Sequence, residues 1–116
     1  MYDCIVVGTG PAGISAALNL KIRNKSFLLV GNGELSDKIS KAEKIQNYPG
    51  FPDTTGAQLK SHFKFHLDQM GISIEDRMVN SIRKYGDTFA VMAGSEFYET
   101  KSIILATGVV IQRPFA

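Results

Sequence analysis

Apolar and polar positions along the chain change period several times, and each change marks an element. Cys4-Ile5-Val6-Val7 is a short apolar run that predicts a strand. After Gly8-Thr9-Gly10 the apolar residues recur at three- and four-residue steps. Ile14, Ala17, Leu18 and Lys21-Ile22 mark the buried stripe of a helix over 11–23, with Asn24 as its stop. Residues 26–30, Ser-Phe-Leu-Leu-Val, form a run bounded by turn signals, as expected of a parallel strand covered on both faces. Gly31-Asn32-Gly33 ends it.

Leu35, Ile39, Ala42 and Ile45 have rough helical spacing, with Lys38, Lys41 and Lys44 elsewhere, which fits either a short surface helix or an irregular loop. Asn47-Tyr48-Pro49-Gly50-Phe51-Pro52 is not regular structure, because two prolines and a glycine fall within it. Thr55-x-x-Gln58 reads as a capping box that opens a helix carrying Leu59, Phe63, Leu67 and Met70 and closed by Gly71. Residues 72–74 predict a short strand. Residues 78–82, 88–93 and 97–100 are strand-like and separated by turn residues, which predicts an antiparallel meander. Residues 102–106 read as a buried strand ending in Thr107-Gly108.

Together these elements predict a three-layer α/β, Rossmann-like fold: a parallel sheet with an inserted antiparallel β-meander. Right-handed crossovers put the second strand beside the first and the third beyond it. The last strand then docks on the other side of the first. The gap between first and last strands becomes the topological switch point, where open α/β sheets bind ligands at their carboxyl strand ends.

Gly8, Gly10 and Gly13 open into that gap. In a strand–turn–helix context, the first glycine allows a sharp reversal, the second a close approach to a pyrophosphate, and the third close helix–strand packing. Pro11 suits the first helical turn. The exposed amides and positive helix end then face a dinucleotide phosphate. A purely structural glycine turn is the plainer alternative. Glu34 is the first acid after Val30 and the candidate for an adenosine ribose, against the reading of a solvated loop glutamate.

Composition narrows the function classes. The 116 residues suffice for one core, which is short for a complete dinucleotide enzyme. A net charge of +2, with dispersed lysines and no accompanying stacking aromatics, argues against nucleic acid. No stretch reaches the roughly 18 apolar residues of a membrane span, and no basic leader precedes the first strand. One cysteine excludes an internal disulfide and a Cys-x-x-Cys pair; Cys4, inside the first strand, reads as a buried structural thiol. The expected location is cytoplasmic. His62 and His66 stand four apart on one helix without a suitable third ligand, so they read as surface histidines and no metal site is assigned. No side chain qualifies as a catalytic acid, base or nucleophile.

Gly8-Thr9-Gly10-Pro11-Ala12-Gly13, Asn47-Tyr48-Pro49-Gly50-Phe51 with Gly56 and Leu59, and Ile104-Leu105-Ala106-Thr107-Gly108 resemble the flavin-binding portion of the thioredoxin reductases, within the pyridine nucleotide-disulfide oxidoreductases. The resemblance covers essentially the whole chain. It implies FAD as cofactor, with Gly8, Thr9, Gly10, Pro11, Ala12 and Gly13 cradling the pyrophosphate and Glu34 binding the adenosine ribose. It also implies Asn47 near the flavin, backbone at Met78-Val79 against the adenine, and Ala106, Thr107 and Gly108 along the cofactor's middle. Where the family carries Gly-Gly-Gln-Leu, this chain has Ser36-Asp37-Lys38-Ile39. That departure is compatible with a branch using a different electron donor.

By the same resemblance, residues 1–116 correspond to an FAD-binding domain, and the family's NADPH domain with its Cys-x-x-Cys disulfide lies beyond them. The chain then reads as part of an enzyme passing electrons from NADPH or another donor, through FAD, to a thioredoxin-like protein disulfide. A different class is a non-catalytic FAD- or NAD-binding electron-transfer module working with a separate chain. In either case, this segment alone is not expected to reduce disulfides. Its last strand presents an unpaired edge, so a homodimer or other self-association is expected.

Overall fold

The computed structural model describes residues 1–35 and 43–107. Its elements are β1 (Cys4–Val7), α1 (Pro11–Ile22), β2 (Phe27–Gly31), α2 (Gly56–Gln69), β3 (Ile74–Asp76), β4 (Val79–Tyr85), β5 (Thr88–Ala93), β6 (Glu96–Thr100) and β7 (Ile103–Leu105). The parallel sheet has the order β3-β2-β1-β7, as the crossover rule predicts, and β4-β5-β6 form a separate antiparallel sheet. The segment 36–42, whose helix or loop character the sequence leaves open, lies outside the described residues, as does Gly108.

Side-chain alternation along β1 explains the layering. Cys4 and Val6 join Leu29 in one core under α1 and α2, where Ile14, Ala17, Leu59, Phe63 and Leu67 pack. Ile5 and Val7 point the other way and join Val30, Val91 and Ala93 against the meander. A strand buried on both faces must be apolar throughout, and β1 is. Helices, parallel sheet and meander make the three layers.

Both helices end where their sequences provide a stop. Asn24 takes a left-handed conformation (φ 57°), and the amides of Asn24 and Lys25 reach back to Lys21 and Leu20. At the end of α2 the amides of Gly71 and Ile72 bond Asp68 and Leu67 in the same way. The capping box is complete: Thr55 Oγ1 accepts from Gln58 N–H at 3.1 Å, and Gln58 Oε1 accepts from Thr55 N–H at 3.0 Å.

Several expectations need correction. Ile22 is 67% exposed and Lys21 is exposed too, so the buried stripe of α1 ends in half-buried Leu18 and Leu20, which pack against the core. The third strand starts at Ile74, not Ile72, because Ile72 serves the end of α2 and β2 pairing begins at Leu29↔Ile74. β4 runs on to Tyr85, since only Gly86-Asp87 is needed to turn into β5. β7 is not buried: Ile104 is 38% and Leu105 67% exposed, because among the described residues this strand is the sheet edge.

Candidate nucleotide site

Gly8 is the hinge of the first turn. It leaves β1 with φ +120°, a conformation only glycine adopts readily. A Cβ placed on it would lie 2.6 Å from the carbonyl carbon of Ala106, and one on Gly13 would lie 2.8 Å from that of Gly8. The turn is therefore wedged between the end of β7 and the first turn of α1. Ala106 N–H donates to Val7 O at 2.8 Å and fixes the far wall.

This packing leaves the helix start open. Gly10 is the N-cap, in extended conformation, and no side chain caps the first turn, which begins with Pro11. Amides that lack internal partners at a helix N-terminus, together with the helix dipole, make an anion cradle. The structure thus brings together Gly8, Thr9, Gly10, Pro11, Ala12 and Gly13 with Ala106 and Thr107 across the β1–β7 gap.

A second wall stands at the ends of β2 and β3. Thr9, 5% exposed, donates its hydroxyl to Asn32 O at 2.8 Å. Gly33 N–H donates to Asp76 Oδ1 at 3.0 Å. Met78 follows β3 by two residues and is 81% exposed; its carbonyl accepts from Gly94 N–H, and Val79 pairs with Ala93 in the meander. Both therefore follow the carboxyl end of β3.

Glu34 is placed differently from the rest. Its exposed carboxylate accepts from Lys64 at 2.9 Å and Lys60 at 3.4 Å, both on α2. Hydrogen bonds from Lys64, then Lys60, hold its carboxyl below the usual value of 4.5. Asn47 is exposed ahead of the Tyr48–Phe51 turn. That turn is anchored on α2 by ring contacts of Tyr48 with Phe63 (5.6 Å between centroids) and Phe51 with His62 (5.0 Å).

A shallow hollow of about 280 Å³ also lies on the meander, lined by Tyr85, Thr88, Phe89, Ala90, Phe97 and Glu99. A dinucleotide phosphate is bound by amides at strand ends, so the glycine turn, not that hollow, is the candidate site.

The pyridine nucleotide-disulphide oxidoreductase family matches residues 2–116. The chain belongs to this family. It is 30% identical over 108 residues to the thioredoxin reductase of Bacillus subtilis (strain 168), covering 93% of this chain and 34% of that protein. A solved ferredoxin-flavin thioredoxin reductase from Clostridium acetobutylicum superposes with a TM-score of 0.94 at 47% identity, over 97% of this chain and 39% of that one. Thioredoxin reductase from Lactococcus lactis gives 0.89 at 29% identity, over 97% and 37%. The chain thus spans little more than a third of the relatives it matches. As a member of that family it has the Rossmann-like fold and the thioredoxin-reductase likeness that its motifs imply.

Sequence reasoning missed Asn32, Lys60, Lys64 and Asp76 around this site. Gly31-Asn32-Gly33 signalled only the end of a strand. Nothing local to Asp76 marks its contact with Gly33, which lies 43 residues away.

Proposed function

We propose that this chain is the FAD-binding unit of a thioredoxin-reductase-like oxidoreductase, with residues 1–116 forming that unit. The observation that carries the reading is the uncapped start of α1, facing the β1–β7 switch point behind a turn with no room for a Cβ at Gly8 or Gly13. The residues present fit the group. The backbone N–H groups of Gly10, Ala12 and Gly13 would bind the pyrophosphate, with Pro11 lacking one. Ala106 and Thr107 would line the cofactor's middle, Asn32–Glu34 would meet the adenosine side, and the anchored Tyr48–Phe51 turn would leave Asn47 toward the flavin side. Bound FAD would supply two-electron redox chemistry, with this chain contributing orientation and electrostatics.

In the whole protein, electrons would pass from a reduced donor to the disulfide of a thioredoxin-like protein in the cytoplasm. Identity favours a ferredoxin-type donor over NADPH. The two solved ferredoxin-flavin reductases stand at 42% and 47%, against 29% and 30% for thioredoxin reductases of Lactococcus lactis and Streptococcus pyogenes. The test is anaerobic reduction of the flavin-loaded full-length protein. Bleaching by reduced ferredoxin but not by NADPH supports this donor, and the reverse contradicts it.

A further inference from the structure

One peptide group in the bend after β2 is held from both sides. The carbonyl of Asn32 accepts from Thr9 Oγ1 at 2.8 Å and from Leu35 N–H at 2.9 Å. The N–H of the same peptide, on Gly33, donates to Asp76 Oδ1 at 3.0 Å. Thr9 comes from the glycine turn, and Asp76 is the last residue of β3. We infer that Asp76 is a positioning residue for the adenosine half of the dinucleotide, acting together with Thr9 through the Asn32–Gly33 peptide.

Packing restricts the bend as tightly as the hydrogen bonds do. A Cβ on Gly33 would lie 2.8 Å from Asp76 Oδ2 and 2.9 Å from its Cγ, so the carboxylate lies flat against this glycine. A Cβ on Gly31 would lie 2.8 Å from Thr9 Cγ2. The bend is thus clamped between the two side chains and cannot rotate without breaking one bond or the other. Next to it, Asn32 Oδ1 accepts from Glu34 N–H at 2.9 Å, which fixes the following turn. In dinucleotide folds the adenosine ribose falls at this end of the second strand. Glu34 is held by two α2 lysines. The backbone of the bend, with its orientation set by Asp76 and Thr9, is therefore placed to meet the ribose beside the exposed Glu34 carboxylate. Because Thr9 also belongs to the phosphate turn, the clamp keeps the ribose wall and the phosphate cradle in register.

This inference rests on the flavin reading above, and its test separates the two. Flavin-stripped protein is titrated with FAD, with ADP (the adenosine-bearing half) and with FMN (the flavin half). Asp76→Ala should raise the Kd for FAD and ADP alike by about tenfold, the scale of one lost charge-assisted hydrogen bond. Asp76→Asn keeps an acceptor oxygen and should lose less, while FMN binding stays unchanged. Thr9→Val should act in the same direction, and the double variant should lose less than the product of the single losses. Unchanged FAD and ADP affinities, or a parallel loss for FMN, would overturn the role of Asp76 while leaving flavin binding intact. A folded wild-type protein that retains no FAD would overturn both.

Discussion

The carbonyl of Ala106 occupies the space where a side chain on Gly8 would have to go. The strand-to-helix turn and the end of β7 are thereby locked at backbone distance, and the phosphate cradle is built on that contact. Gly8→Ala should combine left-handed strain with overpacking and destabilise the fold by roughly 2–4 kcal/mol. Gly86→Ala is the control: its φ is +59° but its surroundings are open, so it should cost only about 1 kcal/mol. Chemical denaturation of both variants measures the difference; equal losses would contradict the wedge.

Helix α2 carries the Tyr48–Phe51 turn through Phe63 and His62, so its own start matters to the flavin side. Removing the capping hydroxyl with Thr55→Ala should cost about 1 kcal/mol. The thermal midpoint should fall by roughly 4–6 °C, while Thr55→Ser should stay near wild type. An unmoved midpoint in the alanine variant would show that the capping box contributes nothing.

The Glu34 contact with Lys64 and Lys60 has a definite pH signature. A carboxyl held below its ordinary 4.5 stabilises the folded chain above that value, and the contribution disappears as pH falls through the lowered one. The melting-temperature advantage of wild type over Glu34→Gln should therefore be full at neutral pH, shrink below about 4.5 and vanish in stronger acid. It should be small, because the carboxylate is 72% exposed, and salt should reduce it. A difference independent of pH would contradict the ion-pair account.

What the sequence revealed depended on how local each interaction was. Thr55 and Gln58 satisfy each other within one helical turn, so the pattern alone exposed them. The glycine turn declared itself because strand, turn and helix follow one another without a gap. Ile72 reads as strand from sequence because its apolar side chain serves a helix end as well as it would a strand. The exposure of Leu105 depends on what flanks the sheet edge, which its own segment does not encode. The Thr9–Gly33–Asp76 clamp and the lysine partners of Glu34 join residues 23 to 43 positions apart, where short-range patterns carry no signal.

That sheet edge has a consequence for assembly. Ile104 and Leu105 expose apolar surface on β7, which among the described residues pairs only with β1. An apolar edge strand is a template for association. The polypeptide of this sequence should therefore self-associate, and Leu105→Lys should shift it toward monomer in light scattering at matched concentration. A wild-type monomer at all concentrations would contradict this expectation.

Flavin retention tests the central claim most directly. The purified protein is mixed with excess FAD, passed through gel filtration, and assayed for bound flavin and folded structure by absorbance and circular dichroism. The account predicts co-eluting flavin near one per chain, and a raised thermal midpoint, with stabilisation of about 2.7 kcal/mol at a hundredfold excess over Kd. A folded protein that elutes colourless and melts at the same temperature with and without FAD would contradict it.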